Sequence, residues 1–257
     1  MRQTTREYLF EAAKHFNRPS FIESDPISIP KRFFKKQDIE IAGLWSAVLS
    51  WGQRKTIIAK AGQLMELMDD APHDFILNHS EKDRKRFLSF VHRTFQPIDT
   101  LYFLEFFQWY YKNHNSLEEG FVKHLPADAD NAGPALEGFH NLFFSLPNAP
   151  KRTKKHLPSP KTGSTCKRLN MFLRWMVRKD DQGVDFGIWK RIKPSQLLIP
   201  LDVHVERVAR KMGLLSRKQR DWKAVVELTE RLKKYHPEDP VLFDYALFGI
   251  GVLEKEK

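Results

Sequence analysis

Lys167 and Asp202 are the residues whose type and setting most resemble a chemical pair. The stretch Gly163-Ser-Thr-Cys-Lys167-Arg-Leu-Asn170-Met-Phe-Leu173 offers one lysine at the opening of an amphipathic helix, and Leu201-Asp202-Val-His204-Val offers one carboxylate at the opening of another. An amine nucleophile with an anion to steady positive charge is the minimum set for cutting a glycosidic bond to a damaged DNA base. A cation is disfavoured at the partly positive start of a helix, and Arg168 stands next to Lys167, so the setting favours the neutral, nucleophilic amine. A phosphate contact, which needs the charged form, is the other reading of Lys167, and local features alone favour it. Asp202 has an ordinary role as the N-cap of its helix. That role is compatible with a carboxylate that also faces a cleft. His204, alone at a helix start, is assigned no chemistry.

Two further groups could touch an anionic ligand. Ser50-Trp51-Gly52-Gln53-Arg54-Lys55 combines a flat ring, a side-chain amide and two cations around a glycine. Such a set suits intrusion into a base stack with phosphate anchoring, although an interhelical turn with a buried tryptophan explains it as well. Lys151, Arg152, Lys154, Lys155, Lys161, Lys167 and Arg168 follow Pro150 with no acid among them. A basic segment feeding a helix start suits phosphate, and a solvated linker is the alternative.

These residues must be held by helices. Apolar residues recur at helical spacing in Ile41, Leu44, Trp45, Val48 and Leu49, in Leu64, Met65 and Met68, and in Leu101, Leu104, Phe107 and Tyr111. The pattern returns in Leu169, Phe172, Leu173 and Met176 and in Val205, Val208, Ala209 and Met212. Asp221 reads as the N-cap of a helix carrying Val225, Leu228, Thr229 and Leu232, and Leu242, Tyr245, Ala246 and Gly249 mark a last one. No run alternates strictly, so the fold class is all-α. Ala127 to Gly133 reads as a loop, and residues 148–165 as an extended, basic, Pro- and Gly-containing loop leading into the Lys167 helix. Most of the 20 phenylalanines read as core.

The chain has 257 residues and a formal net charge of +11, enough length for a sizeable core and a bias toward an anionic partner. Its single cysteine excludes an intrachain disulfide and a cysteine-built zinc or iron–sulfur site. The start of the chain has no apolar signal region, and no run approaches the ~20 apolar residues of a membrane span. A cytoplasmic protein, nucleoid-associated if bacterial, is expected.

The pieces occur in a familiar order. The chain resembles the helix-hairpin-helix DNA glycosylase superfamily, which includes endonuclease III and the adenine and 8-oxoguanine glycosylases, and it also looks akin to a bacterial family of unknown function. Val48-Leu49-Ser50-Trp51-Gly52-Gln53 is similar to the family's Leu-Ser-x-Gln motif, with the glutamine offset by one position. Gly163-Ser-Thr-Cys-Lys167 is similar to the Gly-x-Gly-x-Lys turn that carries the nucleophilic lysine, and Asn170 also matches endonuclease III. Leu201-Asp202-Val203-His204-Val205-Glu206-Arg207-Val208 resembles the motif of the catalytic aspartate, and Phe243 to Gly251 resembles the closing helix.

The resemblance spans residues 40–252 of one two-lobed unit, 1–257, and implies a cleft between lobes. It implies a base-excision glycosylase with lysine-dependent lyase activity, acting as a monomer on double-stranded DNA with a damaged base, away from membranes. Lys167 and Asp202 would be catalytic. Gln53, Arg54, Lys55, Lys151, Arg152, Lys154, Lys155, Lys161, Gly163 and Arg168 would hold DNA, with Trp51 or Gln53 filling the gap left by a flipped base. No metal or organic cofactor is implied. Only one hairpin glycine is present, the lysine-to-aspartate separation is 202 − 167 = 35 residues, and the cysteine cluster of endonuclease III is missing. Residues 179–195 would form an added loop lining the base pocket; Trp175, Trp189 and the Phe-rich segments are candidate stacking surfaces, and core packing explains them equally well. A non-catalytic DNA- or RNA-binding protein on the same scaffold is the alternative.

Overall fold

The computed structural model describes residues 3–256, and every regular element among them is helical. The only pairing of strand type among these residues is an isolated bridge between His92 and Phe95. Among the described residues twelve α-helices run in chain order: α1 (Thr5–Phe16), α2 (Lys36–Leu49), α3 (Arg54–Leu67), α4 (Pro72–Asn78), α5 (Glu81–Arg84), α6 (Pro97–Tyr111), α7 (Leu117–Val122), α8 (Gly133–Phe143), α9 (Lys167–Val177), α10 (Val203–Lys211), α11 (Trp222–Lys233) and α12 (Phe243–Glu256). The chain divides into two compact units. One comprises Met1–Glu23, Pro126–Pro134 and Ser159–Lys257, and the other Ser24–Leu125 and Ala135–Pro158.

The first unit is built on α1 and α10, both packed on α12. The two glycines of α12 allow the close approach. A Cβ on Gly249 would run into the Phe16 ring, and one on Gly251 would lie 2.9 Å from His204 Cβ. Asp221 caps α11 through Ala224 N at 3.1 Å, as its spacing predicts. The end of α9 meets a buried charge network. Arg174 pairs with Asp244 and, at 3.2 Å, with Asp185; Arg178 pairs with Asp180, Asp185 and Asp239; and Tyr245 donates to Asp185 at 2.8 Å. The Arg174 guanidinium also lies over the Tyr245 ring at 4.4 Å. The two arginines and Asp185 persist as buried ions because each meets more than one partner.

This network fixes the loop 179–195 and decides the place of two tryptophans. The loop 179–195 is drawn onto the end of α9: Phe186 N donates to Trp175 O at 2.8 Å and Trp189 N to Met176 O at 2.9 Å, while Asp180 and Asp185 serve the arginines. Trp175 and Trp189 are both buried, Trp189 standing edge-on to Phe172 at 5.4 Å. They pack the core and offer no stacking face.

The second unit has a phenylalanine-rich core, as composition suggested. Trp45 stacks on Phe103 at 4.7 Å, and Phe106 meets Phe143 at 4.2 Å. Glu40 is buried on α2 because Tyr111 Oη (3.0 Å), Ser116 Oγ (2.5 Å) and Leu117 N (2.9 Å) all donate to it.

Residues 148–165 are not extended. They hold two 3-10 turns, Lys151–His156 and Pro160–Thr162, and the boundary between units falls between Pro158 and Ser159. The first turn is anchored on buried Asp99, which accepts from Arg152 and from Thr153 Oγ1, each at 2.6 Å, with His156 Nε2 at 3.4 Å. Burial opposes ionisation of Asp99, but hydrogen bonds from His156, Thr153 and Gln96 N prevail and lower its pKa.

Candidate functional site

Lys167 is the first residue of α9 and follows an unusual turn. Gly163 is left-handed at φ +78°, and Cys166, the N-cap, is also left-handed at φ +47° without a capping side chain. Cys166 is thus a second left-handed residue of this turn, and Thr165 before it is not left-handed. A non-glycine residue held there is strained by about 1–3 kcal/mol, so surrounding structure must hold it. Asn170 Nδ2 donates to Thr165 O at 3.1 Å, Cys166 N to Ser164 Oγ at 3.2 Å, and Trp222 N to Gly163 O at 3.0 Å. The element before the turn is one 3-10 turn, shorter than the first helix of a full hairpin. Burial pushes the Cys166 thiol up to about 12, which leaves it inert as a nucleophile.

Asp202 caps α10, and its two oxygens divide the work. Oδ1 accepts from His204 N at 2.9 Å and Val205 N at 3.0 Å. Oδ2 lies 4.0 Å from Lys167 Nζ, with the two side chains 20% and 25% exposed. The capping role and the lysine-facing role therefore coexist, and the pair is open to a ligand. Met171 Sδ lies 3.8 Å from Lys167 Nζ. His204 Nδ1 faces Gly251 O at 3.3 Å and its ring meets Phe248, a structural place.

Two residues near this pair escaped sequence reasoning. Lys167, Met171 and Arg174 share one face of α9 at i, i+4 and i+7, and Arg174 holds buried Asp244 of α12. Burial raises the Asp244 pKa to about 6; Arg174 pulls it down, Asp202 pushes it up and Lys167 lowers it. The spacing on α9 was the available signal, but a lone Asp in an apolar helix gives no hint of its partner.

The other expected residues are distributed as follows. Gln53 is the N-cap of α3, exposed and without a capping hydrogen bond; Arg54 is half-buried and Lys55 exposed. Trp51 is half-buried beneath Arg93, whose guanidinium lies 4.5 Å from the ring centre. Gly52, at φ +109°, leaves room for that arginine. Filling a base gap with Trp51 would require Arg93 to leave. Lys151, Lys154, Lys155 and Lys161 are exposed, whereas Arg152 is committed to Asp99. Arg168 is half-buried, and burial lowers its pKa to about 10. A cavity of about 370 Å³ lined by Arg84, Lys85, Leu88, Ile98, Leu101 and Tyr102, among others, includes none of the candidate residues. Among the described residues no group of three or more His, Cys, Asp or Glu side chains is arranged to hold a metal, and no helix is long and apolar enough to cross a membrane.

The family described as "Protein of unknown function (DUF2400)" matches residues 25–253. The chain belongs to that family. No curated protein and no solved structure matches the chain. The matched segment contains both Lys167 and Asp202.

Proposed function

We propose that the protein is a base-excision DNA glycosylase with lysine-dependent lyase activity, acting on double-stranded DNA that carries a damaged base. The observation that carries this reading is the 4.0 Å approach of Lys167 Nζ to Asp202 Oδ2, both partly exposed, at the heads of two helices. On this reading Asp202 Oδ2 takes a proton from the Lys167 ammonium. The neutral amine attacks C1′ of a flipped nucleotide, and the base departs with the electrons of the glycosidic bond and is protonated as it leaves. Opening of the sugar ring gives a Schiff base, and loss of a C2′ proton expels the 3′ phosphate. The proton that Asp202 took passes to the departing base, and the restored carboxylate stabilises the cationic Schiff base. The two-lobed arrangement with a DNA-accepting cleft, and the phosphate contacts of Gln53, Arg54, Lys55 and the exposed lysines of 151–161, belong to the same proposal.

Base release from duplexes carrying 8-oxoguanine, thymine glycol or uracil tests it, with Lys167→Gln and Asp202→Asn alongside. Release by the wild type that both substitutions abolish supports the reading. Absence of release on every duplex, with salt-sensitive binding retained, favours a second reading, a non-catalytic nucleic-acid-binding protein. The reduction of the hairpin to one 3-10 turn before Gly163 is the observation on that side.

A further inference from the structure

Phe34 is 97% exposed, in a chain whose other phenylalanines mostly fill cores. It sits in Pro30-Lys31-Arg32-Phe33-Phe34-Lys35-Lys36, where four cations flank two rings within seven residues. The segment is fixed. Pro30–Arg32 forms a 3-10 turn closed by Phe33 N on Pro30 O at 3.2 Å, and Lys35 begins α2 by accepting from Ile39 N at 3.0 Å. Phe33 is half-buried, with the Arg32 guanidinium 5.9 Å from its ring centre. Arg32 is tied to Asp70 at 2.6 Å and Lys36 to Glu118 at 3.5 Å. Lys35 is exposed and forms no ion pair among the described residues, and Lys31 is half-buried. The result is a bare phenyl ring beside an exposed lysine on a hydrogen-bonded corner.

We propose that Phe34, with Lys35, is a stacking contact for an unpaired nucleotide of a nucleic-acid strand. An exposed phenyl stabilises no core, and its surroundings are electropositive, which suits a polyanion. Magnitude separates this from a membrane contact. One ring gains a useful amount by stacking on one base, because every base presents a π face. Interfacial binding scales with buried apolar area and uses a whole helix face. Here α2 is buried from Ile39 through Leu49 and has no such face to give. The contact requires a nucleic-acid partner but not Lys167 chemistry, so binding and catalysis can fail separately.

Fluorescence anisotropy of the full chain with a labelled oligothymidylate is the test, with circular dichroism to verify folding. Phe34→Ala should weaken single-strand binding about 5- to 100-fold, and Phe34→Trp should restore it. Phe34→Leu separates stacking from plain apolarity and should behave like the alanine variant. Lys35→Ala should make the salt dependence shallower by roughly 0.7 in log–log slope. Unchanged affinity in Phe34→Ala, or full affinity in Phe34→Leu, overturns the proposal. So does loss of binding to phosphatidylserine vesicles in Phe34→Ala with oligonucleotide affinity intact, which would assign the ring to a membrane surface.

Discussion

Asp202 can be dissected because its two oxygens do different things. Asp202→Asn keeps a side-chain oxygen able to cap α10 and removes the charge that faces Lys167. The attraction of a carboxylate to the helix N-terminus is worth about 0.3–1 kcal/mol. The partly exposed pair at 4.0 Å adds about 0–1 kcal/mol after screening. Asp202→Ala loses both and also the two bonds to His204 N and Val205 N, a further cost of about 1 kcal/mol. In a chain of this size each kcal/mol moves the Tm by roughly 2–4 °C. Thermal denaturation should therefore place Asp202→Asn roughly 1–8 °C below the wild type and Asp202→Ala roughly 2–4 °C below the asparagine variant. Added salt should shrink the gap between aspartate and asparagine and leave the gap between asparagine and alanine unchanged. Equal melting of the two variants would refute the division of labour between the oxygens, and a salt-independent asparagine variant would refute the charge coupling to Lys167.

Three other perturbations follow from the same geometry. Gly52→Ala places a Cβ at φ +109° and 3.0 Å from Arg93 Nη1; it should cost about 1–3 kcal/mol and change tryptophan fluorescence as Arg93 leaves the Trp51 ring. Thr153→Val removes the 2.6 Å donor to buried Asp99 and should cost about 1–3 kcal/mol in urea unfolding, with an unchanged m-value. Asp244 binds its proton more tightly in the folded chain, with a pKa of about 6. Its contribution therefore makes stability fall as pH rises from about 4 to about 6. The charges acting on it are Arg174 and Lys167 of α9 and Asp202 at the head of α10. The difference in stability between wild type and Asp244→Asn should carry that slope, and a flat difference across the window would contradict the burial of the carboxyl.

Of the long helices, α2, α3, α6, α9, α10, α11 and α12 were legible from the helical spacing of their apolar residues, and α1 and α8 were not read. The stripe ending at Leu49 and that of Leu169 to Met176 lie within α2 and α9 as observed. The short helices α4, α5 and α7 were not, since four to seven residues are too few for a period to declare itself. The segment 148–165 read as extended because its prolines and glycine mask 3-10 turns, and because the anchor at Asp99 lies some fifty residues earlier. Lys167 and Asp202 were legible because both stand at helix starts, where residue type has positional meaning. Their 4.0 Å approach is a tertiary fact. Arg174 with Asp244, and Arg93 over Trp51, depend on partners distant in sequence, and no local pattern announces them. Phe34 was hidden by its type, since a phenylalanine reads as core until its exposure is seen.

The most direct test of the central claim is borohydride reduction of the full chain on an abasic-site duplex, followed by peptide mapping of any covalent adduct. A nucleophilic lysine gives an adduct whose mass maps to Lys167, absent from Lys167→Gln and diminished in Asp202→Asn, while DNA affinity stays largely intact in both. An adduct on another lysine, or no adduct from a chain that binds the duplex, would contradict the role assigned to the Lys167–Asp202 pair.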